Sequence, residues 1–234
     1  MNSLQVADSF LVADGKVRGL DLHRKRFADS CTALGVVGAA EFFDDSLSRL
    51  PRHGRWFPRF ELGAEGLALQ VRPAPAAGGR IRVSVHAGPD PRTNPLVKGP
   101  DLAVLGDLKA AASSACGADE VLLLDADGIA VEAAYSALAW WEEGTLCFPP
   151  SDRTFLPSVT SQLLRQVAAT RGITTAERPR TPDELADADE VWLLNALHGI
   201  RPIHAWNTGP IDPLPASISA DWQDDVLALA IPLR

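Results

Sequence analysis

The chain has 234 residues, of which 46% are hydrophobic and 22% charged, an ordinary globular composition that can bury a sizeable core. Its formal net charge of −8 argues against nucleic acid or an anionic membrane as the main partner. The chain shows no signal-peptide pattern and no apolar run long enough for a membrane span, and Cys31, Cys116 and Cys147 lack CxxC spacing. We therefore expect a cytoplasmic protein without a structural disulfide or metal site.

Residues 1–87 predict a small α+β lobe. Residues 4–22 are expected to form a β-hairpin about the turn at 13–16, and the spacing of apolar residues predicts a helix over His23–Leu34. A second helical segment follows around Glu41–Leu50. Three strands are then expected to pair in antiparallel fashion: Trp56–Leu62, Gly66–Arg72 and Arg80–His86.

The segment GPDPRTNP at 88–95 cannot form regular structure, since proline breaks helices and strand ladders alike, and it predicts a linker. Residues 96–234 then predict a larger lobe. Its expected elements are a helix over Asp101–Cys116, the hairpins Glu120–Glu132 and Leu138–Phe148, a helix over Thr160–Thr170, and the strands Glu190–Leu194 and Ile200–Trp206.

Four segments of the larger lobe form a pattern when taken together. They are LVKGPDL, GADEVLLLDADGIAVEAAYSAL, LPSVTSQLL and ADEVWLLNALHGIRPI. In order and spacing they resemble the large domain of the class IV (fold type IV) enzymes that use pyridoxal 5′-phosphate (PLP). That family includes branched-chain and D-amino acid aminotransferases and 4-amino-4-deoxychorismate lyase. The resemblance implies a two-lobed α+β fold with a β-barrel-like C-terminal lobe, PLP as cofactor, and a homodimer.

Lys98 matches the lysine that joins the cofactor aldehyde in this family. The chemistry needs a primary amine, and the chain has only three other lysines, Lys16, Lys25 and Lys109, which lie in a turn, a basic run and a helix. Glu132 matches the carboxylate that faces the pyridine nitrogen and keeps it protonated. Without a role in catalysis, Lys98 would be a solvated surface lysine and Glu132 an exposed strand glutamate. The small or apolar neighbours of Glu132 argue against the second alternative.

Two loops and one arginine match the phosphate contacts of the family. Ser158, Val159 and Thr160 open a helix, where free N–H groups and the helix dipole suit an anion, although Ser158 also fits a simple helix cap. Arg26 matches the phosphate arginine of the small domain. The second loop includes Asn195 and Ala196, followed by His198 and Arg201. These last two either bind a substrate carboxylate or serve the structure alone.

The chain also departs from the family pattern. Its opening segment is reduced to Asp8-Ser9-Phe10, the phosphate loop has Ser161 in place of an arginine, and Ala103 stands near the position of a common tyrosine. The Asn195-Ala196-Leu197 loop resembles that of 4-amino-4-deoxychorismate lyase more than the Gly-Thr loop of most aminotransferases. We therefore expect an enzyme for a small substrate with amino and carboxylate groups. The lyase is favoured, with a branched-chain or D-amino acid aminotransferase and a catalytically silent relic as alternatives.

Overall fold

The computed structural model describes residues 4–76, 78–207, 209–210 and 218–233. No helix within these ranges is both long and apolar enough to cross a lipid bilayer. The helices are α1 (Leu20–Ala33), α2 (Ala39–Ser46), α3 (Leu102–Cys116), α4 (Val159–Thr170), α5 (Pro182–Ala186) and α6 (Ser219–Ala228). The strands are β1 (Val6–Ser9), β2 (Val12–Ala13), β3 (Lys16–Arg18), β4 (Arg55–Trp56), β5 (Arg59–Gly63), β6 (Gly66–Gln70), β7 (Ile81–Val85), β8 (Glu120–Leu124), β9 (Ala130–Ala133), β10 (Ser136–Glu142), β11 (Thr145–Phe148), β12 (Thr175–Glu177), β13 (Glu190–Asn195), β14 (Gly199–Trp206), β15 (Gly209–Pro210) and β16 (Ala230–Pro232).

The larger lobe is a closed barrel. Its strands pair in the order β10, β13, β14, β7, β8, β9, and β9 pairs back onto β10 through Ser136 opposite Ala133 and Ala137 opposite Glu132. The strands β11, β12 and β15 extend this sheet beyond the ring. Closure leaves no free edge between the barrel strands, so their backbone groups are paired without a partner chain.

Alternating side chains fill and cover the barrel. Val191 and Leu193 of β13 belong to the cluster that receives side chains from all six barrel strands, whereas Trp192 and Leu194 belong to a second cluster packed against α4 and α6. Trp140 and Trp141 divide between the same two clusters. This strict alternation is the period of two expected for strands that are buried on both faces. Trp140, Trp141 and Trp192 therefore serve the packing of these two clusters.

The smaller lobe consists of two short sheets covered by α1 and α2. One sheet has the order β1-β5-β6, and the other has the order β16-β3-β2-β4. Its core is aromatic: Phe10, Phe27, Phe43 and Phe60 are completely buried, and the rings of Phe43 and Phe60 stack with centroids 4.1 Å apart. The predicted α+β, two-lobed fold with a barrel-like larger lobe is thereby confirmed.

Three predicted features of the N-terminal region are wrong in detail. The expected hairpin over residues 4–22 is divided, since β1 pairs with β5 while β2 and β3 belong to the other small sheet. Helix α1 begins at Leu20 rather than at His23, because Gly19 adopts a left-handed conformation directly after β3 and turns the chain. The strand β7 does not join the small lobe but pairs in parallel with β14 and β8.

Residues 86–101 contain neither helix nor strand, as the prolines of this segment predict. Because β7 precedes the segment and completes the barrel, the barrel also uses chain from before residue 88. In turn, the C-terminal strand β16 pairs with β3 of the small lobe. The boundaries 1–87, 88–95 and 96–234 remain a prediction. The Ala7 N–H donates to the Lys98 carbonyl oxygen (2.6 Å), which joins the small lobe to the chain just before α3.

Candidate active site

A cavity of about 960 Å³ lies between the two lobes, and it contains every site residue that the sequence predicted. Its walls come from the small lobe, from the segment that carries Lys98, from the barrel strands and from the start of α4. The predicted residues that line it are Lys98, Glu132, Arg26, Ser158, Val159, Thr160, Asn195, Ala196, His198 and Arg201. Residues separated by up to 175 positions in sequence are therefore brought together.

The Lys98 side chain lies in the cavity wall between α1 and the barrel. Its amine has no hydrogen bond or ion pair within the described chain, so it remains available to a ligand. Although the cavity leaves the residue partly accessible, the surrounding protein atoms desolvate the amine. This burial lowers the pKa of Lys98 to about 8, and the neighbouring Arg26 charge contributes in the same direction. Lys98 is thus a more available nucleophile at neutral pH than a surface lysine.

Glu132 is buried at the end of β9, and its two oxygens have different surroundings. The Oε1 atom accepts from the Leu156 N–H (2.8 Å) and pairs with the Arg92 guanidinium. The Oε2 atom has no hydrogen-bond partner among the described residues. Burial raises the pKa of Glu132, while Arg92, itself bound to Asp90 (2.6 Å), favours the charged carboxylate. One oxygen is therefore fixed and the other is available to a polar group in the cavity.

The start of α4 forms a place for an anion. Ser158 Oγ accepts the Ser161 N–H (3.2 Å), so the residue is a helix cap, as its sequence allows. The N–H groups of Val159 and Thr160 have no partner within the described chain. Arg26 meets this helix start, because its Nη1 donates to the Pro157 carbonyl oxygen (3.1 Å). Free N–H groups, the helix dipole and a guanidinium together suit a phosphate.

Asp8 and His23 fix the position of Arg26. Asp8 is completely buried, and its carboxylate accepts from Arg26 Nε (2.8 Å) and Nη2 (3.0 Å) and lies 2.7 Å from His23 Nδ1. Burial opposes ionisation of Asp8, but Arg26 and His23 outweigh it and hold the pKa of that carboxyl well below its usual range. Burial in turn lowers the pKa of His23. A charged Asp8 therefore orients both the arginine and a neutral imidazole.

The turn at 195–198 is held in shape by side-chain hydrogen bonds. Asn195 Oδ1 accepts the N–H groups of Leu197 (3.1 Å) and His198 (2.8 Å), and Gln223 Nε2 donates to the His198 carbonyl oxygen (2.6 Å). Arg18 Nη2 donates to the Ala196 carbonyl oxygen (2.9 Å). The Asn195 side-chain oxygen is thus used in shaping the turn.

His198 and Arg201 both lie on the cavity side of this turn. Burial and the charge of Arg201 lower the pKa of His198 to about 4, so the imidazole is neutral at pH 7. Its Nδ1 accepts the Gly78 N–H (3.4 Å), which assigns the hydrogen to Nε2. Arg201 donates through Nε to the Gly79 carbonyl oxygen (3.3 Å). Both residues retain donor groups for an anionic ligand.

Several residues of the cavity were not predicted from the sequence. Arg92 stands in the segment that was interpreted as a linker, and its contact with Glu132 becomes visible only in the folded chain. Asp8 was noted as a remnant of the opening segment, and its partner His23 received no role. Arg72 and Lys109 also line the cavity. No local sequence pattern identifies the Asp8–His23 pair, because the contact joins β1 to α1 in the folded chain.

The family profile for amino-transferase class IV matches residues 5–206, which is most of the chain. The chain belongs to this family. The match extends over the small lobe as well as the barrel, so it includes the N-terminal part in which the resemblance of the sequence motifs was thinnest. The cofactor of the family is PLP.

Individual relatives agree with this assignment. A Methanocaldococcus jannaschii protein described as a branched-chain-amino-acid aminotransferase is 31% identical over 125 residues, 53% of this chain and 42% of that protein. The chain thus matches less than half the length of the curated relatives. A fold IV transaminase from Curtobacterium pusillum is 25% identical with a TM-score of 0.80, covering 95% of this chain and 86% of that one. A Legionella pneumophila structure described as a 4-amino-4-deoxychorismate lyase is 19% identical with a TM-score of 0.81, covering 96% and 90%, a likeness of fold alone.

The residues present in the cavity fit PLP. An amine of lowered pKa can condense with the aldehyde, and the free Oε2 of buried Glu132 can accept from the pyridine N–H. The unpartnered N–H groups at the start of α4, together with Arg26, can hold the phosphate. The aldehyde, the pyridine nitrogen and the phosphate of the cofactor therefore each have a complementary partner in one cavity.

The lowered pKa of Lys98 gives a testable pH dependence. Only the neutral amine attacks an aldehyde, so covalent attachment of PLP to the apo-protein should become faster with rising pH and level off above about pH 8. The measurement is stopped-flow absorbance after mixing apo-protein with PLP across pH 6–10. Free N-acetyl-lysine, with an ordinary pKa near 10.4, is the control and should still accelerate above pH 9. A protein rate that keeps rising to pH 10 would contradict the assignment.

Proposed function

We propose that this chain is a PLP-dependent enzyme for a small substrate with amino and carboxylate groups, and that Lys98 carries its cofactor. The observation that supports it most is the convergence of three unlike groups on one cavity: the Lys98 amine, the free Oε2 of Glu132, and the α4 start with Arg26. Desolvating a lysine amine beside a cluster of charges costs free energy, so such an arrangement is typical of a functional site.

Lys98 has two tasks in the proposed reaction. Its amine would hold the cofactor through the aldehyde group, and in its free form the same amine would take the proton from the substrate carbon that bears the nitrogen. A pKa of about 8 suits both tasks, because an appreciable fraction of the amine is neutral near physiological pH while the protonated form is still a proton donor. The bound cofactor supplies an electron sink for that carbon.

Glu132 and Arg92 set the charge at the other end of the cofactor ring. A carboxylate at the pyridine nitrogen keeps that nitrogen protonated. Arg92 stabilises the charged form of Glu132 against its burial, and Asp90 pairs with the same guanidinium and holds it in place. The Leu156 N–H holds Oε1 at a fixed position. The two residues thus orient a negative charge that does not have to rearrange during the reaction.

Within the family we propose the lyase reaction, in which 4-amino-4-deoxychorismate gives 4-aminobenzoate and pyruvate. The comparisons include both aminotransferases and a lyase, so the preference rests on this chain's Asn195-Ala196-Leu197-His198 turn. The turn is fixed by Asn195, Arg18 and Gln223, and it presents His198 and Arg201 to the substrate cavity. A substrate rich in carboxylates suits these donors.

An aminotransferase acting on branched-chain or D-amino acids is the alternative. It uses the same lysine and glutamate but returns the proton to the cofactor and needs a keto acid to complete the cycle. A catalytically silent relic is disfavoured, because the cavity retains all three cofactor-binding features.

The homodimer expected from the family remains a prediction. Three exposed side chains near the cavity offer apolar surface for such a contact: Val71 and Leu96, which are neighbours of lining residues in sequence, and Tyr135, which itself lines the cavity.

The role of Glu132 can be tested by substitution. Glu132→Gln keeps the size of the side chain but removes the charge, so the protein should still bind PLP and lose about a hundredfold or more in turnover. Steady-state rates and PLP affinity are measured together with those of Glu142→Gln, a carboxylate on β10 that pairs with Arg178 and Arg180 away from the cavity. Near-normal turnover of Glu132→Gln would refute the role.

Product analysis separates the two reactions. With 4-amino-4-deoxychorismate and no keto acid, the lyase should form 4-aminobenzoate and pyruvate in equal amounts over many turnovers, which chromatography detects. An aminotransferase would instead convert its bound cofactor to the amine form with L- or D-amino acids and stop until a keto acid is added. If this conversion is rapid with a common amino acid and 4-aminobenzoate is absent, the aminotransferase is the correct function.

A further inference from the structure

A second lysine faces the cavity at some distance from Lys98. Lys109 lies on α3, and its Nζ is 3.5 Å from Oε1 of Glu120 and 4.6 Å from the centroid of the Tyr135 ring. The Glu120 side chain is only 2% exposed, whereas that of Lys109 is 26% exposed. Burial raises the pKa of Glu120, and Lys109 opposes this change. The carboxylate is thus enclosed, while the ammonium group retains access to the cavity.

One ion pair and three hydrogen bonds connect Lys109 to the turn at 195–198. Ser136 Oγ donates to Glu120 Oε2 (3.2 Å), and Asn195 Nδ2 donates to Ser136 Oγ (3.0 Å). Asn195 Oδ1 then accepts the His198 N–H (2.8 Å). These links tie the Glu120 carboxylate, which pairs with the Lys109 ammonium, to the turn that carries His198 and precedes Arg201 on β14. Glu120 therefore acts as a positioning residue for Lys109 and for the turn.

The charges at this end of the cavity do not balance among the described residues. Lys109, Arg201 and Arg18 are positive, and Glu120 and the exposed Asp119 are the negative groups near them. Arg18 is 7% exposed, and its Nη1 is buried without a hydrogen-bond partner in the described part of the chain. It lies directly behind the turn, since its Nη2 binds the Ala196 carbonyl oxygen. A buried, incompletely paired cation is costly and favours an anion close by.

We propose that Lys109, together with Arg201 and His198, binds a carboxylate of the substrate that is remote from the reacting amine. This inference rests on the proposed function, in which the substrate amine reacts beside Lys98. Both Ala103 and Lys109 line the cavity, and they lie six positions apart on α3, a rise of about 9 Å along its axis, so this helix extends along the cavity wall. The ring carboxylate of aminodeoxychorismate and the second carboxylate of 2-oxoglutarate have the required chemistry.

The test measures ligand binding rather than turnover. Isothermal calorimetry on PLP-loaded protein compares two pairs of ligands that differ by one remote carboxylate: 4-aminobenzoate with aniline, and 2-oxoglutarate with 2-oxobutyrate. The wild-type protein should favour the carboxylate-bearing member of at least one pair by about tenfold or more, as expected for a charge-assisted contact. Lys109→Met should reduce this preference to near unity, and Lys109→Arg should restore most of it. Lys25→Met is the control, because Lys25 is an exposed lysine paired with Asp29 on α1, and it should bind like the wild type.

A second variant guards against a folding defect. Lys109→Met leaves Glu120 buried without its cation, whereas the double variant Lys109→Met/Glu120→Gln removes both charges and should show the same loss of preference in a folded protein. If the wild type shows no preference in either pair, or if either variant keeps it, for example through Arg72 on the other wall, the inference is wrong. A protein that makes no 4-aminobenzoate but binds 2-oxoglutarate in a Lys109-dependent manner would refute the lyase and keep the subsite. A protein that forms 4-aminobenzoate but binds these ligands independently of Lys109 would keep the lyase and refute the subsite.

Discussion

The contact between β1 and the Lys98-Gly99 peptide is the constraint on which the site depends. The Ala7 N–H donates to the Lys98 carbonyl oxygen, and Gly99 adopts φ +146° directly beside this bond. A Cβ atom at Gly99 would lie 2.8 Å from Val6 Cα and 2.9 Å from the Gln5 carbonyl oxygen, so only glycine permits the approach. The small lobe thereby meets Lys98 through backbone, which fixes the Lys98 main chain relative to Asp8 on β1.

From this contact the electrostatics of the cavity follow. Asp8 is one residue beyond Ala7, and it holds Arg26 toward the start of α4. The Arg26 charge contributes, after burial, to the lowered pKa of Lys98, so the group proposed to bind phosphate also keeps the amine reactive. On the barrel side, Arg92 keeps Glu132 charged. Asp8 and Glu132 thus each have an arginine partner that sets both the position and the ionisation of the buried carboxylate, which is the preorganisation that catalysis requires.

The sequence predicted the barrel lobe better than the small lobe, for physical reasons. Strands such as Glu190–Asn195 are long, apolar and bounded by turn residues, so their pattern alone identifies them. In the small lobe, β2 and β4 have two residues each, too short for any periodicity, and β16 contains a proline. The strand β7 was recognised as a strand, yet its pairing with β14 and β8 depends on barrel closure, which no local pattern encodes.

The site, too, contains residues that sequence motifs identify and residues that only the folded chain reveals. Lys98, Glu132 and Thr160 lie within motifs that the family resemblance identifies, and all three line the cavity. Arg92 and Lys109 lie outside those motifs, and their importance arises from long-range contacts with Glu132 and Glu120. Such partners are defined by the packing of α3 and of the segment before it, so single-sequence analysis has no signal for them.

The central claim is that Lys98, and no other amine of the chain, carries the cofactor. The most direct measurement is reduction of PLP-loaded protein with borohydride, followed by peptide mass spectrometry over Lys16, Lys25, Lys98 and Lys109. The account predicts a phosphopyridoxyl group on Lys98 alone, and none on the protein after Lys98→Ala. A modified Lys109, or a reducible adduct that persists in Lys98→Ala at equal yield, would contradict it.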